Sequence, residues 1–436
     1  MMTTAILYAV LMPFLSALAP TTWLPLPLIL IATVTPILLF SRRLRALKAC
    51  WQRDIGFVMV FLLGALAILG SPSGIGEKTA NYTFAVLVSY VFFFVMTREL
   101  LYSVRGGWHT VARAATWSLT ILSIAVLIEF YLASWHNVFL ADLIPFAHDD
   151  LEAAFLLNEN FRRPRAFAAE PGFTAVAYEC LWPLTWIGAA RLHNSLGWRA
   201  RQALYVGGFL VLASAAAVGC LAAAAFAVWL IRSRDLKRLL RMTLPMVLLL
   251  GMLLSTGWGD ELLWGVFGRK LDLFGVVDVD QADAVTALVR LSRLETGIEL
   301  LLQYPMGIGW GGVAQAFTDQ TSLGGISAPD GSGLINLYLD LAVAAGLASI
   351  PAMLVFVGVR WRSTLRSANP VAPFLATALI AVCLHHLFIT EFQMPFLWFV
   401  LALADCLWMS ERGRRRTARK SSLHRTPQHE LAQANA

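Results

Sequence analysis

Three arginines stand close together in a short polar stretch, where their side chains could bind a phosphate group. The stretch NFRRPRAFAAEPGFTA contains Arg162, Arg163 and Arg165. A guanidinium group is a planar fork of N–H donors that fits phosphate oxygens, and its charge does not titrate away. The alternative is that these side chains extend to lipid headgroups beside the apolar segment that follows. Phosphate binding and lipid contact are therefore the two interpretations to separate.

Glu170 and Pro171 follow the arginines and also admit two interpretations, which the sequence leaves open. As structure, an acidic residue followed by proline is typical of the first turn of a helix. As chemistry, the Glu170 carboxylate could pair with an arginine or take a proton from a hydroxyl group. Both interpretations predict that a helix begins at Pro171.

A second candidate group lies on a segment with helical periodicity, VTALVRLSRLETGIELLLQ. Arg290 and Arg293 are three residues apart there and share one helix face. They either complement the acidic residues nearby or form the second half of an anion site, and we favour the anion site because a glycine turn follows directly. That turn contains Gly307 and Gly309 and could bring backbone amides close to an anion or a sugar. Its GxGxxG spacing does not indicate a dinucleotide site, since no strand pattern precedes it.

Apolar segments also carry ionisable residues, which are candidates for function inside a membrane. These residues are Glu129, Glu179, Asp340, His385, His386 and Asp405. Glu179 lies two turns beyond Pro171 and could extend the arginine site inward, whereas Glu129 and Asp405 fall near segment ends. The histidines are typical of packing positions, and no third ligand stands at metal-binding spacing. We therefore predict no metal site, and we keep an ion-coupled transporter as a rival hypothesis.

The elements that must position these residues are apolar helices. Of 436 residues, 58% are hydrophobic and only 14% charged, against about a quarter charged in an ordinary soluble domain. Roughly 20 apolar residues cross a bilayer, and such segments recur, so we predict an all-α polytopic membrane protein of about 12 transmembrane helices. The predicted spans are residues 5–19, 23–40, 55–70, 82–97, 114–134, 173–190, 203–214, 216–231, 242–257, 333–359, 371–389 and 395–410. Residues 203–231 could instead form one long helix, but a break around Ser214 keeps the topology consistent.

The distribution of positive charge orients these spans. Of 34 lysines and arginines, 26 lie in segments on one face, and positive residues in short loops stay cytoplasmic. Both termini are therefore predicted to be cytoplasmic, and the net charge of +7 needs no nucleic-acid partner. On the opposite face only eight basic residues remain: Lys78, Arg162, Arg163, Arg165, Arg269, Lys270, Arg290 and Arg293. This scarcity favours phosphate binding over lipid contact for the arginines at 162–165.

Two long loops on the outer face hold seven of those eight residues. We predict one transmembrane domain, residues 1–411, with periplasmic loops at 135–172 and 258–332. A large late loop of this kind usually carries function. Within it, residues 285–303 are predicted to form an amphipathic helix along the membrane surface. Residues 412–436 are predicted to be a basic, disordered cytoplasmic tail.

Three sequence motifs resemble those of a known family. RPRAFAAEPGFTA resembles the signature of bacterial exopolysaccharide and O-antigen polymerases of the Wzy type. RLSRLETGIELLLQYPMGIGWGG resembles the large periplasmic loop of the O-antigen ligase/polymerase superfamily, and INLYLDLAVAAGL, residues 335–347, resembles its following helix. The resemblance covers most of residues 55–410. Two departures stand out: Ile335 replaces the histidine of the ligase branch, and LASAAAVGC at 212–220 lacks the arginine common at that point.

The resemblance implies a metal-independent glycosyltransferase of the bacterial inner membrane, without a cofactor or nucleotide sugar. Its substrate would be a polyprenyl-pyrophosphate-linked oligosaccharide, and its other partners would be membrane lipids and, as candidates, chain-length regulator or export proteins. Arginines would stabilise the charge on the departing pyrophosphate, and Glu170 would orient Arg165 or remove the acceptor proton. The catalytic residues predicted in this way are Arg165, Glu170, Arg290 and Arg293. The predicted substrate-binding residues are Arg162, Arg163, Glu179, Gly307, Gly309, Asn336 and Tyr338.

Other functions remain open at this point. A ligase would move finished polysaccharide to lipid A–core or protein, although Ile335 disfavours it. A transporter or lipid-linked oligosaccharide flippase would use the intramembrane acids and tolerate loss of the outer arginines. A structural subunit of an export complex would be insensitive to single changes at those arginines.

Overall fold

The computed structural model describes most of the apolar segments and part of each loop. It describes residues 2–15, 24–40, 44–71, 76–104, 107–140, 163–168, 170–187, 195–212, 214–233, 281–318, 334, 336–390 and 394–434, with only the backbone for residues 215, 233, 281–291, 316–318 and 415–434. Across these ranges the chain forms helices and connecting turns, and no strand occurs within them. The prediction of an all-α protein is therefore confirmed for the described residues.

Fourteen helices occur in the described residues. They are α1 (Met2–Leu11), α2 (Leu26–Phe40), α3 (Arg45–Ala67), α4 (Glu77–Ser103), α5 (Gly107–His136), α6 (Pro171–Thr185), α7 (Leu196–Val211), α8 (Ala215–Ser233), α9 (Gln281–Gln303), α10 (Gly312–Thr318), α11 (Leu337–Ala345), α12 (Ser349–Leu365), α13 (Ala372–His385) and α14 (Pro395–Ala434). Residues Ser89–Met96 of α4 have π-helical hydrogen bonding.

Three of the helices are long and apolar enough to cross a membrane, by length and composition. They are Arg45–Gly70, which is α3 with the short 3₁₀ turn after it, then α4, and α5. Their outer faces expose large apolar side chains, among them Leu66 and Trp117. Exposed apolar side chains on long apolar helices indicate contact with lipid, which supports membrane association.

Helix α14 passes through the centre of the core. Between Phe396 and Leu407 its residues are buried on nearly every side, as expected of a helix that is hydrophobic all round. The Trp398 ring lies 5.3 Å from that of Phe57 and 5.8 Å from that of Phe94, measured between centroids. Helices α3, α4, α12 and α13 pack around it, so they are held at fixed positions relative to one another.

Two span predictions have clear outcomes. The predicted break around Ser214 is confirmed, because α7 ends at Val211 and α8 begins at Ala215. The prediction that residues 5–19 form one span is wrong, since α1 ends at Leu11, shortly before Pro13, and proline disfavours helical backbone in the residue before it. The predicted span 242–257 lies outside the described residues.

The predicted span 333–359 is also wrong as a single helix. It is divided into α11 and α12 at Gly346, which has a φ of 77°. A Cβ atom on Gly346 would lie 2.6 Å from the carbonyl carbon of Met306, and the Leu347 amide donates to the Pro305 carbonyl. The turn that follows α9 therefore occupies the break, and only glycine permits so close an approach.

The tail differs from the prediction as well. Helix α14 continues from the apolar core to Ala434, so the backbone of residues 412–434 is helical where we predicted disorder. Arginine, lysine, glutamine and alanine are abundant in this segment, and all four favour helix. Because a formed helix already precedes them, these residues extend it without a new nucleation step.

Candidate functional site

The arginine turn, residues 163–168, contacts α5, α6 and the break between α7 and α8. The Arg163 Nε group donates a hydrogen bond of 3.0 Å to the Leu212 carbonyl, at the break between α7 and α8. The Arg165 side chain is buried, and its guanidinium carbon lies 5.2 Å from the centroid of the Phe139 ring. Arg163 is partly exposed. Arg162 lies outside the described residues.

The backbone of the arginine turn is held by side chains from α5 and α6. The Ala166 amide donates to the carboxylate of Glu129, and the Thr174 hydroxyl donates to the Arg165 carbonyl. Ala166 has a φ of 52°, an uncommon value for a residue with a Cβ atom. Glu129 is fully buried. The sequence places Glu129 near a segment end, but an acidic residue within an apolar segment is itself a signal of function.

The start of α6 lies directly beside this turn. Pro171 is the first helical residue, and the Glu170 carbonyl accepts from the Phe173 amide. The structural interpretation of Glu170 and Pro171 as a helix start is therefore confirmed. The Glu170 side chain makes no capping hydrogen bond and is partly exposed. The N-terminus of a helix is electropositive, so it adds to the positive potential of the neighbouring arginines.

The predicted amphipathic helix is present as α9 and packs against α11. The contact is close at Gly297, where a Cβ atom would lie 2.5 Å from the Leu339 side chain. Arg293 is partly exposed on α9, and Arg290 lies one turn before it, in the part described only by its backbone. The arrangement in which both arginine groups face one anion stays a prediction.

The glycine turn after α9 makes hydrogen bonds within the protein. The Gly307 amide donates to the Tyr304 carbonyl at 2.9 Å, and the Gly309 amide donates to the Ala344 carbonyl at 2.9 Å. Both amides therefore have acceptors within the protein, and the predicted contact of Gly307 and Gly309 with an anion or sugar stays a prediction. The φ values of 89° and 85° explain why both positions are glycine.

Asn336 and Tyr338, predicted to line the cavity, both have partners in the protein. The Asn336 side chain accepts from the amides of Tyr338 and Leu339 and so caps α11. The Tyr338 hydroxyl donates to the Cys383 carbonyl at 2.8 Å. Capping of this kind stabilises a helix by about 1 kcal/mol. These contacts explain the two residue types without a substrate, and the predicted contact with substrate stays a prediction.

Glu179 meets His385 in the interior, and Cys220 is close by. The Glu179 Oε1 atom and His385 Nδ1 are 2.8 Å apart, and both side chains are buried. The ligand atoms of Glu179, Cys220 and His385 lie within 4.8 Å of one another. These three residues could supply three of the four ligands of a tetrahedral zinc site. Sequence spacing could not reveal this group, because its members come from α6, α8 and α13.

A second charged site, which we call the inner ionic network, was missed by sequence reasoning. Its five members come from α3, α4, α12 and α14: Arg53, Asp54, Arg98, Arg360 and Asp405. The Arg98 guanidinium binds both carboxylate oxygens of Asp54, at 2.8 and 2.9 Å, and one of Asp405 at 2.9 Å. Arg98, Arg360 and Asp405 are completely buried.

The remaining contacts make this network continuous. Arg360 Nη2 lies 2.6 Å from Asp54 and 2.8 Å from Asp405, while Arg53 Nε lies 2.8 Å from Asp405. The Arg98 and Arg360 guanidinium groups also lie over the Phe94 ring, at 4.7 and 4.9 Å from its centroid. Removing one carboxylate would leave buried charge uncompensated, which is strongly destabilising. The network therefore holds four helices together.

Only a partial signal for this network is present in the sequence. Arg53, Arg98 and Arg360 are among the 26 basic residues that the charge distribution places on the cytoplasmic face, and Asp405 falls near a segment end. Acids at the ends of apolar segments, Asp54 and Asp405, were the available signal. Comparison with known proteins adds no assignment for either site, because no protein-family model and no curated protein matches the chain.

Proposed function

We propose that this chain is a polysaccharide polymerase of the bacterial inner membrane. It transfers a polyprenyl-pyrophosphate-linked glycan onto the next lipid-linked repeat unit at the periplasmic face. In this proposal the chain crosses the membrane about 12 times, and both termini are cytoplasmic. The long apolar helices support the membrane location. The basic residues of the short loops support the orientation.

The observation that carries the proposal is the support given to the arginine turn. Its backbone is bound by Glu129 and Thr174, and its first arginine is bound to Leu212. Donors held in place before the reaction stabilise developing charge better than mobile ones, because they need no reorganisation. The arginine turn is held by contacts with three helices and lies next to a helix N-terminus. Such a turn is suited to bind an anionic group on which negative charge develops during a reaction.

The chemistry follows from the bond that must break. The anomeric carbon of the donor glycan carries pyrophosphate as the leaving group, and an acceptor sugar hydroxyl attacks that carbon. Negative charge accumulates on the departing pyrophosphate, and Arg165, with Arg163 beside it, would stabilise that charge. Arg290 and Arg293 would hold the second pyrophosphate. Glu170, which is partly exposed, would orient Arg165 or accept the proton of the acceptor hydroxyl.

Analysis of glycan products tests the proposal. Wild type and the variants Arg165→Ala, Arg290→Ala and Arg293→Ala are expressed in a strain that lacks the native gene, and surface and lipid-linked glycans are resolved by gel and mass spectrometry. Lys78→Ala is the matched control, because Lys78 is the outer basic residue that lies in neither long loop.

At equal membrane levels we expect wild type and the control to make a ladder of repeats, while the arginine variants accumulate single lipid-linked repeats. Complete chains that remain on the lipid carrier would indicate a ligase. An unchanged ladder in all three arginine variants would contradict the proposal.

An ion-coupled transporter is the second candidate, and the Glu179–His385 contact favours it. A buried carboxylate and imidazole 2.8 Å apart form a pair that can gain and lose a proton within the membrane. For a transporter, Glu179→Gln would abolish proton-coupled uptake into vesicles, and no glycosidic bond would form. A ladder that persists in Glu179→Gln, without any uptake by wild type, would exclude this candidate.

A further inference from the structure

Two cavities meet at Arg232, in the last turn of α8. The first, of about 590 Å³, lies against α6, α8 and α13 and is mostly apolar. Its lining includes Trp182, Trp186, Trp229, Val228 and Phe374. The second, of about 710 Å³, lies between α8 and α12, with Arg232 forming part of both linings. Arg232 thus stands at the border of an apolar groove and of a second cavity of different character.

The second cavity is strongly basic. Arg232, Arg362 and Arg366 line it, together with apolar Trp361 and Leu365. Arg362 and Arg366 are four residues apart and exposed, so they project from one side of α12. Among the described residues, no acidic side chain lines either cavity. The cavity therefore attracts an anion.

Arg232, which lines the basic cavity, has an N–H donor group that is not used within the described residues. Its Nη2 group donates to the Ser367 carbonyl at 3.0 Å, which fixes the guanidinium between α8 and α12. Its Nη1 group is buried and has no hydrogen-bond partner among the residues that the structure describes. A buried N–H group without a partner is costly, and an anion in the cavity would satisfy it.

We propose that these cavities bind one anionic glycerophospholipid. Its phosphate contacts Arg232, Arg362 and Arg366, and one acyl chain lies in the groove between the tryptophans. Basic pockets between membrane helices recognise anionic headgroups in this manner. By the distribution of basic loops, Arg232 is near the cytoplasmic surface, so the lipid comes from the inner leaflet.

The apolar groove decides between a lipid and free phosphate. Free phosphate would occupy only the basic cavity and leave the tryptophan-lined groove in contact with solvent or detergent. A phospholipid matches both cavities, because its phosphate and its acyl chain are linked through one glycerol unit and the two cavities share Arg232. This site is separate from the arginine turn and does not depend on the reaction proposed for that turn.

Lipid binding to the purified full-length protein tests the proposal. Native mass spectrometry measures retention of phosphatidylglycerol and, separately, of phosphatidylcholine, and inorganic phosphate is added as a competitor. The variants are Arg232→Ala, Arg366→Ala and Ala225→Trp, the last of which fills the apolar groove lined in part by Ala225. Arg199→Ala is the matched control, since Arg199 is an exposed arginine on α7. Size-exclusion chromatography confirms that each protein is folded.

We expect wild type and the control to retain phosphatidylglycerol in preference to phosphatidylcholine. Each arginine variant should bind phosphatidylglycerol about fivefold more weakly, and Ala225→Trp should also weaken it although no charge is removed. Equal retention of the two lipids, or unchanged binding in both arginine variants, would overturn the proposal. Full displacement by inorganic phosphate, with Ala225→Trp unaffected, would overturn it in favour of a phosphate site.

Discussion

The inner ionic network and the arginine turn both contain arginines and carboxylates, yet they use them differently. In the inner network, Asp54 and Asp405 bind the guanidinium groups of arginines from other helices, and two of those arginines are completely buried. In the arginine turn, the Glu129 carboxylate binds a backbone amide instead. Arg165 is also buried there, while Arg163 remains partly exposed.

This difference separates stability from function. An arginine whose guanidinium group is bound to two carboxylates has few N–H donors left for a substrate, so the inner network serves to hold helices together. A carboxylate that fixes the backbone leaves the shape of the turn defined while an arginine remains within reach of an anion. Changes in the inner network should therefore act on folding, and changes in the arginine turn should act on the glycan product.

The largest effect is expected at Asp405. Replacement by asparagine removes one of two carboxylates that neutralise three arginines, and the free energy of unfolding should fall by about 3–5 kcal/mol. Thermal unfolding of the purified protein in detergent measures this loss. Glu77→Gln is the control, because Glu77 is exposed and should change stability by less than about 0.5 kcal/mol. An unchanged melting temperature for Asp405→Asn would contradict the claim that the inner ionic network stabilises the fold.

A substitution at Gly309 tests whether the glycine turn stabilises the fold or binds substrate. In Gly309→Ala the new Cβ atom would lie 2.6 Å from the Ile68 side chain and the backbone would keep a positive φ. We expect a loss of about 2–4 kcal/mol from strain and overpacking. Activity per folded molecule should not change, since the amide already donates to Ala344. Normal stability with lost activity would restore these amides as ligands of the substrate.

Substitutions at Glu129 test the arginine turn, whose backbone this carboxylate binds. Glu129→Ala leaves the Ala166 amide without its acceptor, which should cost about 1–3 kcal/mol and shorten the glycan ladder by displacing Arg165. Glu129→Gln keeps an oxygen acceptor for the same amide, so most of the ladder length should return. If glutamine is as defective as alanine at equal membrane levels, the charge of Glu129 acts directly and the positioning role is wrong.

The smallest effect is expected at Asn336. Asn336→Ala removes the cap of α11 and should lower stability by about 1 kcal/mol, and Asn336→Asp should restore it because aspartate caps equally well. The glycan ladder should be normal in both variants at temperatures where they are folded. A shortened ladder in a fully folded Asn336→Asp variant would instead indicate contact with substrate.

Helix boundaries that depend on neighbouring residues could be predicted from the sequence. Features that depend on contacts between distant residues could not. The start of α6 at Pro171 and the break at Ser214 depend on neighbouring residues, so both could be predicted. The division at Gly346 depends on backbone contacts with Pro305 and Met306, which hydropathy does not contain. Asp54 and Asp405 contact the same arginines from distant parts of the chain, and one sequence gives no pairing between them.

Polymerisation by purified protein tests the central claim most directly. Wild type, Arg165→Ala and Lys78→Ala are placed in lipid nanodiscs with one defined lipid-linked repeat unit, and product length is measured at equal folded fraction. We predict a ladder for wild type and Lys78→Ala, and a rate at least 100-fold lower for Arg165→Ala, roughly the effect of one fixed charge-stabilising donor. A normal ladder from folded Arg165→Ala would contradict the assignment of catalysis to the arginine turn.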